Sequence, residues 1–343
     1  MKKLYCGIDL HARILQICII DAQLKKVLER KLPCDLALLL ELLKPFKKRV
    51  SIAIESTFNW YWLVDGLQDA GYEVHLAHAL GLSRITKAKV KTDRRDAFTL
   101  AKYLLNGDLP EAYIYPKESR PIRDLVRQRQ RLVDMRSREY AALRLRLYQH
   151  GFLTHSRNGC KTSDPEDFSS VFADCRLSVL LTQERERIQL LSSQIDDLED
   201  KILDAAGRDP SYLRLTQIPG FGKALSAIVF YETGDARRFR SPRHYASYCR
   251  LVPGAAESAG HSKRGRSPKE GNHRLKCAYT QAAVHAARCY PKIRSLYDRT
   301  AAKHPGRGSK LIAMNVVAHK LSTAAFKMLT EGTDYNETLI FGN

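Results

Sequence analysis

Apolar and polar positions alternate, then cluster at helical spacing, over the first third of the chain. Leu4-Tyr5-Cys6-Gly7-Ile8-Asp9 is a short apolar segment that ends on an acid. Ile14-Leu15-Gln16-Ile17-Cys18-Ile19-Ile20 follows a polar turn, so the two segments predict a β-hairpin. Leu36 to Phe46 has helical length and few β-branched residues. Arg49 to Glu55 alternates as a strand and again ends on an acid. A helix around Trp60 to Ala70 then leads through Gly71 into a strand from Tyr72 to Leu76. Strands and helices in this order predict a mixed α/β sheet with helices on its faces over residues 1–115.

The pattern becomes purely helical over 116–207. Ile122 to Gln149 is rich in Arg, Leu and Gln and lacks both Gly and Pro. Gly151 to Asp174 is polar, carries Gly159 and Pro165, and reads as a loop or insert. Leu181, Ile188, Leu191, Ile195, Leu198 and Ile202 then recur at three- and four-residue steps, with Glu184 where an apolar residue would fall. This short heptad seam suits pairing with the preceding helix or with a second protomer, and the spacing leaves both open.

Residues 208–343 read as mostly helical and basic. Ile218-Pro219-Gly220-Phe221-Gly222-Lys223 resembles the turn of a helix-hairpin-helix module, where glycines let the backbone turn and a helix start offers N–H groups to phosphate. A simple helix-helix turn fits the spacing nearly as well. Pro253 to Arg274 holds four glycines, two prolines and a cation cluster, which predicts a loop. Helices resume near Leu275 and again from Lys310 to Thr330.

Charge narrows the function. The 343 residues carry 57 Lys and Arg against 37 Asp and Glu, a formal net charge of +20. Between Arg208 and Lys310, 21 Lys and Arg stand against 6 Asp and Glu, so most of the surplus lies there. Such an excess fits a polyanion, because each phosphate contact releases a counterion. The 8 cysteines never occur as Cys-x-x-Cys, which argues against a zinc finger or redox motif. No apolar run is long enough to cross a bilayer, and the first residues lack a signal-peptide core, so an intracellular protein is expected.

Against this basic background four acids stand out. Asp9 and Glu55 end apolar strands, and Asp93 and Asp96 share one helix face at i, i+3. Convergence of the four would create a repulsion that a hard divalent cation relieves. Each also has a plain structural reading: a solvated strand end, a helix cap at Asp93, or a pairing of Asp96 with Arg94 or Arg95.

The segments Tyr5–His11, Ile52–Thr57, Gly71–Val74 and Lys91-Thr92-Asp93-Arg94-Arg95-Asp96-Ala97 resemble the DEDD insertion-sequence transposases related to the Piv DNA invertase. The likeness continues through Ile218–Gly222, Leu251–Gly254 and Gly271-Asn272-His273-Arg274-Leu275. It implies an RNase H-like, RuvC-like catalytic domain at 1–115, a helical coiled-coil connector at 116–207 and a mostly α-helical transposase domain at 208–343. It implies a tetrad of Asp9, Glu55, Asp93 and Asp96 holding Mg2+ as both catalytic and metal residues. Counting back from Gly271-Asn272 puts the family's serine nucleophile at Ser258, although Ala259 and His261 depart from the commoner Ser-Gly-Gly pattern and Ser262 and Ser267 lie close by. Lys263, Arg264 and Arg266 around it, with Gly220, Gly222, Lys223 and Arg274, form the expected nucleic-acid-binding set.

The resemblance further implies strand cleavage, a covalent phosphoserine link, exchange and religation on donor and target DNA. A noncoding bridge RNA, a homo-oligomer (dimer or tetramer) and a bacterial, nucleoid-associated cytoplasmic setting come with it. Two alternatives stay open at this point: a metal-only nuclease like a Holliday-junction resolvase, and a nucleic-acid-binding scaffold with structural acids.

Overall fold

The computed structural model describes residues 2–85, 92–151, 175–258, 261–265 and 270–341. The chain divides into two compact units, Met1–Lys117 and Glu118–Asn343. Among the described residues no helix is long and apolar enough to cross a membrane.

The first unit is built on a five-stranded sheet: β1 (Leu4–Leu10), β2 (Ile14–Ile20), β3 (Lys26–Pro33), β4 (Val50–Glu55) and β5 (Glu73–Ala77), in the order β3-β2-β1-β4-β5. The predicted hairpin is present, with β1 and β2 antiparallel, whereas β4 and β5 join in parallel. Helices α1 (Leu36–Leu43), α2 (Tyr61–Asp69), α3 (Ala79–Ile85) and α4 (Asp93–Asn106) complete the unit. Strand β3 carries no clear apolar alternation in sequence. It is an edge strand whose side chains are mostly exposed, so its polar composition suits its place.

Period-two alternation divides the sheet chemically. Cys6, Ile8 and Leu10 point to the side where Leu39 and Leu43 of α1 and Leu63, Val64 and Leu67 of α2 close one core. Tyr5, Gly7 and Asp9 point to the other side, where Ala97, Leu100 and Ala101 of α4 pack on small residues such as Cys18 and Ala53. Gly7 sets the depth of that contact. A Cβ there would lie 1.9 Å from the Ala97 carbonyl oxygen and 2.7 Å from the Ala101 nitrogen, so only glycine lets α4 approach.

In the second unit α5 (Arg120–Gln149) and α6 (Cys175–Ala206) pack along their lengths. Leu143 and Leu147 meet Leu181 and Ile188, while Leu132 meets Leu191 and Ile195, so the helices run antiparallel. The heptad seam is therefore used inside the chain. Glu184, the break in its pattern, is buried and accepts from the Arg146 guanidinium at 2.7 and 3.0 Å. Arg146 thus gives the buried Glu184 a partner on the facing helix, where an apolar neighbour would leave its charge unpaired.

The base of this helical pair shares its core with the C-terminal helices. Val126, Ile202 and Ala206 cluster with residues of helices Lys223–Thr233, His273–Cys289 and Ser309–Glu331. Gly220, at φ +84°, turns the chain before Lys223–Thr233, and a Cβ there would lie 2.2 Å from the Ala282 carbonyl oxygen. The stretch read as a loop from Pro253 to Arg274 instead contains two paired strands, β6 (Gly254–Ser258) and β7 (His261–Gly265). Their sequences lack β-branched residues, so the pairing left no period-two signal.

Candidate metal and nucleic-acid site

The parallel pairing of β1 and β4 sets Ile8 opposite Ile54, which brings the following acids, Asp9 and Glu55, to neighbouring strand ends. Alternation puts both on the α4 side of the sheet. Helix α4 starts there. Its N-cap is Thr92, whose hydroxyl accepts from the Arg95 N–H, so Asp93 is a first-turn residue and not the cap. Asp93 and Asp96 both lie in that first turn, where the helix dipole favours negative charge. Arg94 turns to Glu29 of β3 at 3.2 Å.

Asp9 is 4% exposed. Burial pushes its carboxyl up to about 6; His11 works against this, while Asp96, Glu55 and Asp93 push it further up. The other three acids are thus within electrostatic reach of Asp9.

Sequence reasoning gave His11 no role, although it sits two residues after Asp9. Its Nε2 lies 3.2 Å from Asp9 Oδ2 and 3.3 Å from Asp93 Oδ1. The Asn59 amide donates to the His11 carbonyl at 3.2 Å and ties the segment after β4 to the β1–β2 turn. One ligand atom each from Asp9, His11 and Asp93 lies within 4.8 Å of the others. Two carboxylates and an imidazole suit a small divalent cation, and the raised Asp9 supplies the charge such an ion would relieve. His75 and His78 do not form a second pair: His75 bonds Glu73 and Glu111, and His78 accepts from the Gly81 N–H.

Because Asp93 and Asp96 ride on α4, the depth set by Gly7 also sets the carboxylate spacing. Gly7→Ala is expected to push α4 outward, lower the melting temperature of the first unit by about 5 °C or more and weaken divalent binding at least tenfold. Calorimetry with Mn2+ titration checks both, and an unchanged melting point would mean that α4 has room to spare.

In the second unit the turn residues Gly222 and Lys223 are exposed, and Gly222 caps helix Lys223–Thr233 without a side-chain bond. Arg274 has its Nε 3.6 Å from the buried Glu232 while much of its side chain stays exposed. Ser258 stands at the end of β6 opposite His261, and Lys263 and Arg264 lie on β7. The side chains of these three, together with Lys91, Arg266 and Ser267, lie outside the described residues.

Comparison with known proteins bears on this geometry. A family model of DEDD transposases of the IS110 type matches residues 6–151, and one described as transposase of the IS116/IS110/IS902 family matches 212–298. A Sinorhizobium fredii protein provisionally named transposase y4pF/y4sB is 24% identical over 346 residues, covering 96% of this chain and 85% of the relative. A provisionally named family 20 transposase of Pseudomonas aeruginosa is 24% identical over 250 residues, covering 69% and 71%. A 43.6 kDa protein of insertion element IS110 from Streptomyces coelicolor is 31% identical over 167 residues, covering 48% and 38%.

Proposed function

We propose that the chain, which matches two models of IS110-type transposases, is a transposase of that family that cuts and rejoins DNA through a divalent-metal carboxylate site and a serine nucleophile. One observation carries the first half of this reading. Asp9 is buried at a strand end among three other carboxylates, with His11 between it and Asp93. The strand order β3-β2-β1-β4-β5 and the packing of α4 on β1 support an RNase H-like fold for this unit.

Asp9, Glu55, Asp93 and Asp96 would hold Mg2+ through oxygen, with His11 lying between Asp9 and Asp93. When bound, the ion would neutralise charge building on the phosphodiester. The chain's own residues orient and exclude. Asn59 holds the His11 backbone, Thr92 fixes the start of α4, and the sheet core keeps water from behind Asp9.

Ser258 is the proposed nucleophile. Its Oγ forms a new bond to phosphorus as it loses its proton, and the displaced deoxyribose oxygen leaves with the electron pair and is protonated. The phosphoserine ester conserves the energy of the broken phosphodiester, so the strand can be rejoined without an external energy source. The cation surplus between Arg208 and Lys310 supports DNA contact by this unit. A bridge RNA fits the same electrostatics, with base pairing supplying specificity and the protein reading backbone and shape. Assembly as a dimer or tetramer is part of this reading; since the α5–α6 seam is used within the chain, association is expected through other surfaces.

The test is a denaturing gel of labelled element-end DNA incubated with protein and Mg2+. Wild type is expected to give a protein-linked band that Ser258→Ala abolishes without loss of DNA binding. A band that survives Ser258→Ala but vanishes with Ser262→Ala or Ser267→Ala moves the nucleophile. Cleavage with no linked band at all favours a metal-only nuclease.

A further inference from the structure

Beside the carboxylates, and sharing Asp93 with them, lies an open cleft of about 420 Å³. Its floor follows from strand register. Asp9 of β1 stands opposite Gln16 of β2, and Gln16 stands opposite Lys31 of β3. Cross-strand partners share a face at about 5 Å, so an acid, an amide and an ammonium form one row running from the carboxylate site toward the sheet edge. Arg30 and Arg94 also line it, but alternation sends the Arg30 side chain to the other face of β3 and Arg94 is paired with Glu29, so Lys31 is the cation facing the cleft. The other lining acid, Glu29, is paired with Lys26 and Arg94, which cancels its charge locally.

Gln16 is the unexplained group. It is 4% exposed, yet it lines the cleft and makes no side-chain hydrogen bond among the described residues. The rest of the side chain is buried while the amide end keeps contact with the cleft, so a ligand there can take its donor and acceptor. The amide offers a donor and an acceptor side by side, which a phosphate cannot satisfy but the edge of a nucleobase can. The exposed Lys31 ammonium suits the phosphate of the same nucleotide. The volume is in the range of small-ligand sites.

Building on the carboxylate site as the place of strand cleavage, we propose that this cleft takes the nucleotide flanking the cut phosphodiester. Its base edge pairs with the Gln16 carboxamide, and its phosphate rests on Lys31. The cleft thereby fixes which bond reaches the carboxylates and gives the first unit a base preference of its own. Adenine, whose N6 and N7 match a glutamine amide, is the best-fitting base.

The experiment titrates the full chain, without divalent ions, with the dinucleotide pdApdA and with the same molecule lacking its bases. Wild type is expected to favour pdApdA about tenfold or more. Gln16→Leu should erase that preference while leaving the weaker abasic affinity unchanged, and Lys31→Gln should weaken both probes and lower the salt slope by about one. Gln16→Leu is expected to melt within a few degrees of wild type, since it roughly keeps the volume of a side chain that makes no side-chain hydrogen bond among the described residues. Should it not fold, Gln16→Met carries the same test. A Gln16 variant that keeps the pdApdA preference overturns the proposal, as does a wild type that binds both probes equally. Mn2+ titration of the same samples separates the two readings. Loss of metal binding in wild type sinks the metal site and leaves the cleft standing, whereas normal Mn2+ binding with no base preference sinks the cleft alone.

Discussion

Asp9→Asn is expected to abolish magnesium-dependent strand cleavage, by roughly a thousandfold or more, and to raise the melting temperature of the metal-free protein at pH 8. The two effects share one cause. Burial and three neighbouring carboxylates push the Asp9 carboxyl from 3.8 up to about 6. A raised folded-state value makes the folded protein bind the proton more tightly than the unfolded chain does. The stability this gives is fully present below about pH 3.8 and is lost as the pH rises through 6. At pH 8 the protein therefore carries the whole penalty of an ionised, buried Asp9, of order 2–3 kcal/mol from the size of the shift. Asparagine keeps the shape and removes the charge. Calorimetry at pH 8 and pH 4 checks this: the variant should melt higher at pH 8, and its advantage should vanish at pH 4. A variant that melts no higher at pH 8 would mean Asp9 is not under repulsion, and one that cleaves normally would remove Asp9 from the site.

What the sequence makes legible is what rests on local periodicity. The hairpin of β1 and β2, the strand ending in Glu55 and the i, i+3 acids of α4 all follow from spacing. Alternation then places Asp9 and Glu55 on one side of the sheet. The features that complete the site depend on long-range register instead. Strand β3 is an exposed edge with weak alternation, so its Lys31 could not be aligned with Gln16, nor Gln16 with Asp9, before the pairing was known. His11 reads as a turn residue until the turn folds back over Asp93. In the second unit, the hairpin of β6 and β7 hides because glycine and alanine carry no strand signal, and the seam could not name its partner because two identical helices would satisfy it equally. Glu184 was visible only as a fault in the seam. Its meaning came from Arg146, which lies 38 residues away.

Glu232, which no motif singles out, is expected to be among the most sensitive positions of the second unit. It is wholly buried on helix Lys223–Thr233. Its carboxylate accepts from Arg127 at 2.6 and 3.0 Å, from Arg123 at 2.9 and 3.3 Å and from the Asn272 amide at 2.8 Å. Asn272 at the same time caps helix His273–Cys289 through its oxygen, which accepts from the Arg274 and Leu275 N–H groups. One carboxylate thus joins the start of α5, the helix after the Gly220 turn and the helix that follows the β6–β7 hairpin. Burial works against its ionisation, but the guanidiniums and the amide hold it down at about 2. Glu232→Gln keeps the volume and deletes the charge that both arginines share. Removing one partner of a buried pair costs about 3–5 kcal/mol, so the second unit should melt about 10 °C lower. Replacing Glu232, Arg123 and Arg127 together by apolar residues should recover much of that loss, because no buried charge is then left behind. The pH dependence has the opposite sign to that of Asp9. A lowered folded-state value gives stability that is present above about pH 4.5 and lost as the pH falls toward 2. Acidification from pH 8 to pH 3 should therefore favour the first unit through Asp9 and weaken the second through Glu232. In calorimetry the two variants should flatten these opposed trends one at a time. A Glu232→Gln protein that melts within about 2 °C of wild type would show that the arginines are satisfied elsewhere and that this junction is not held by charge.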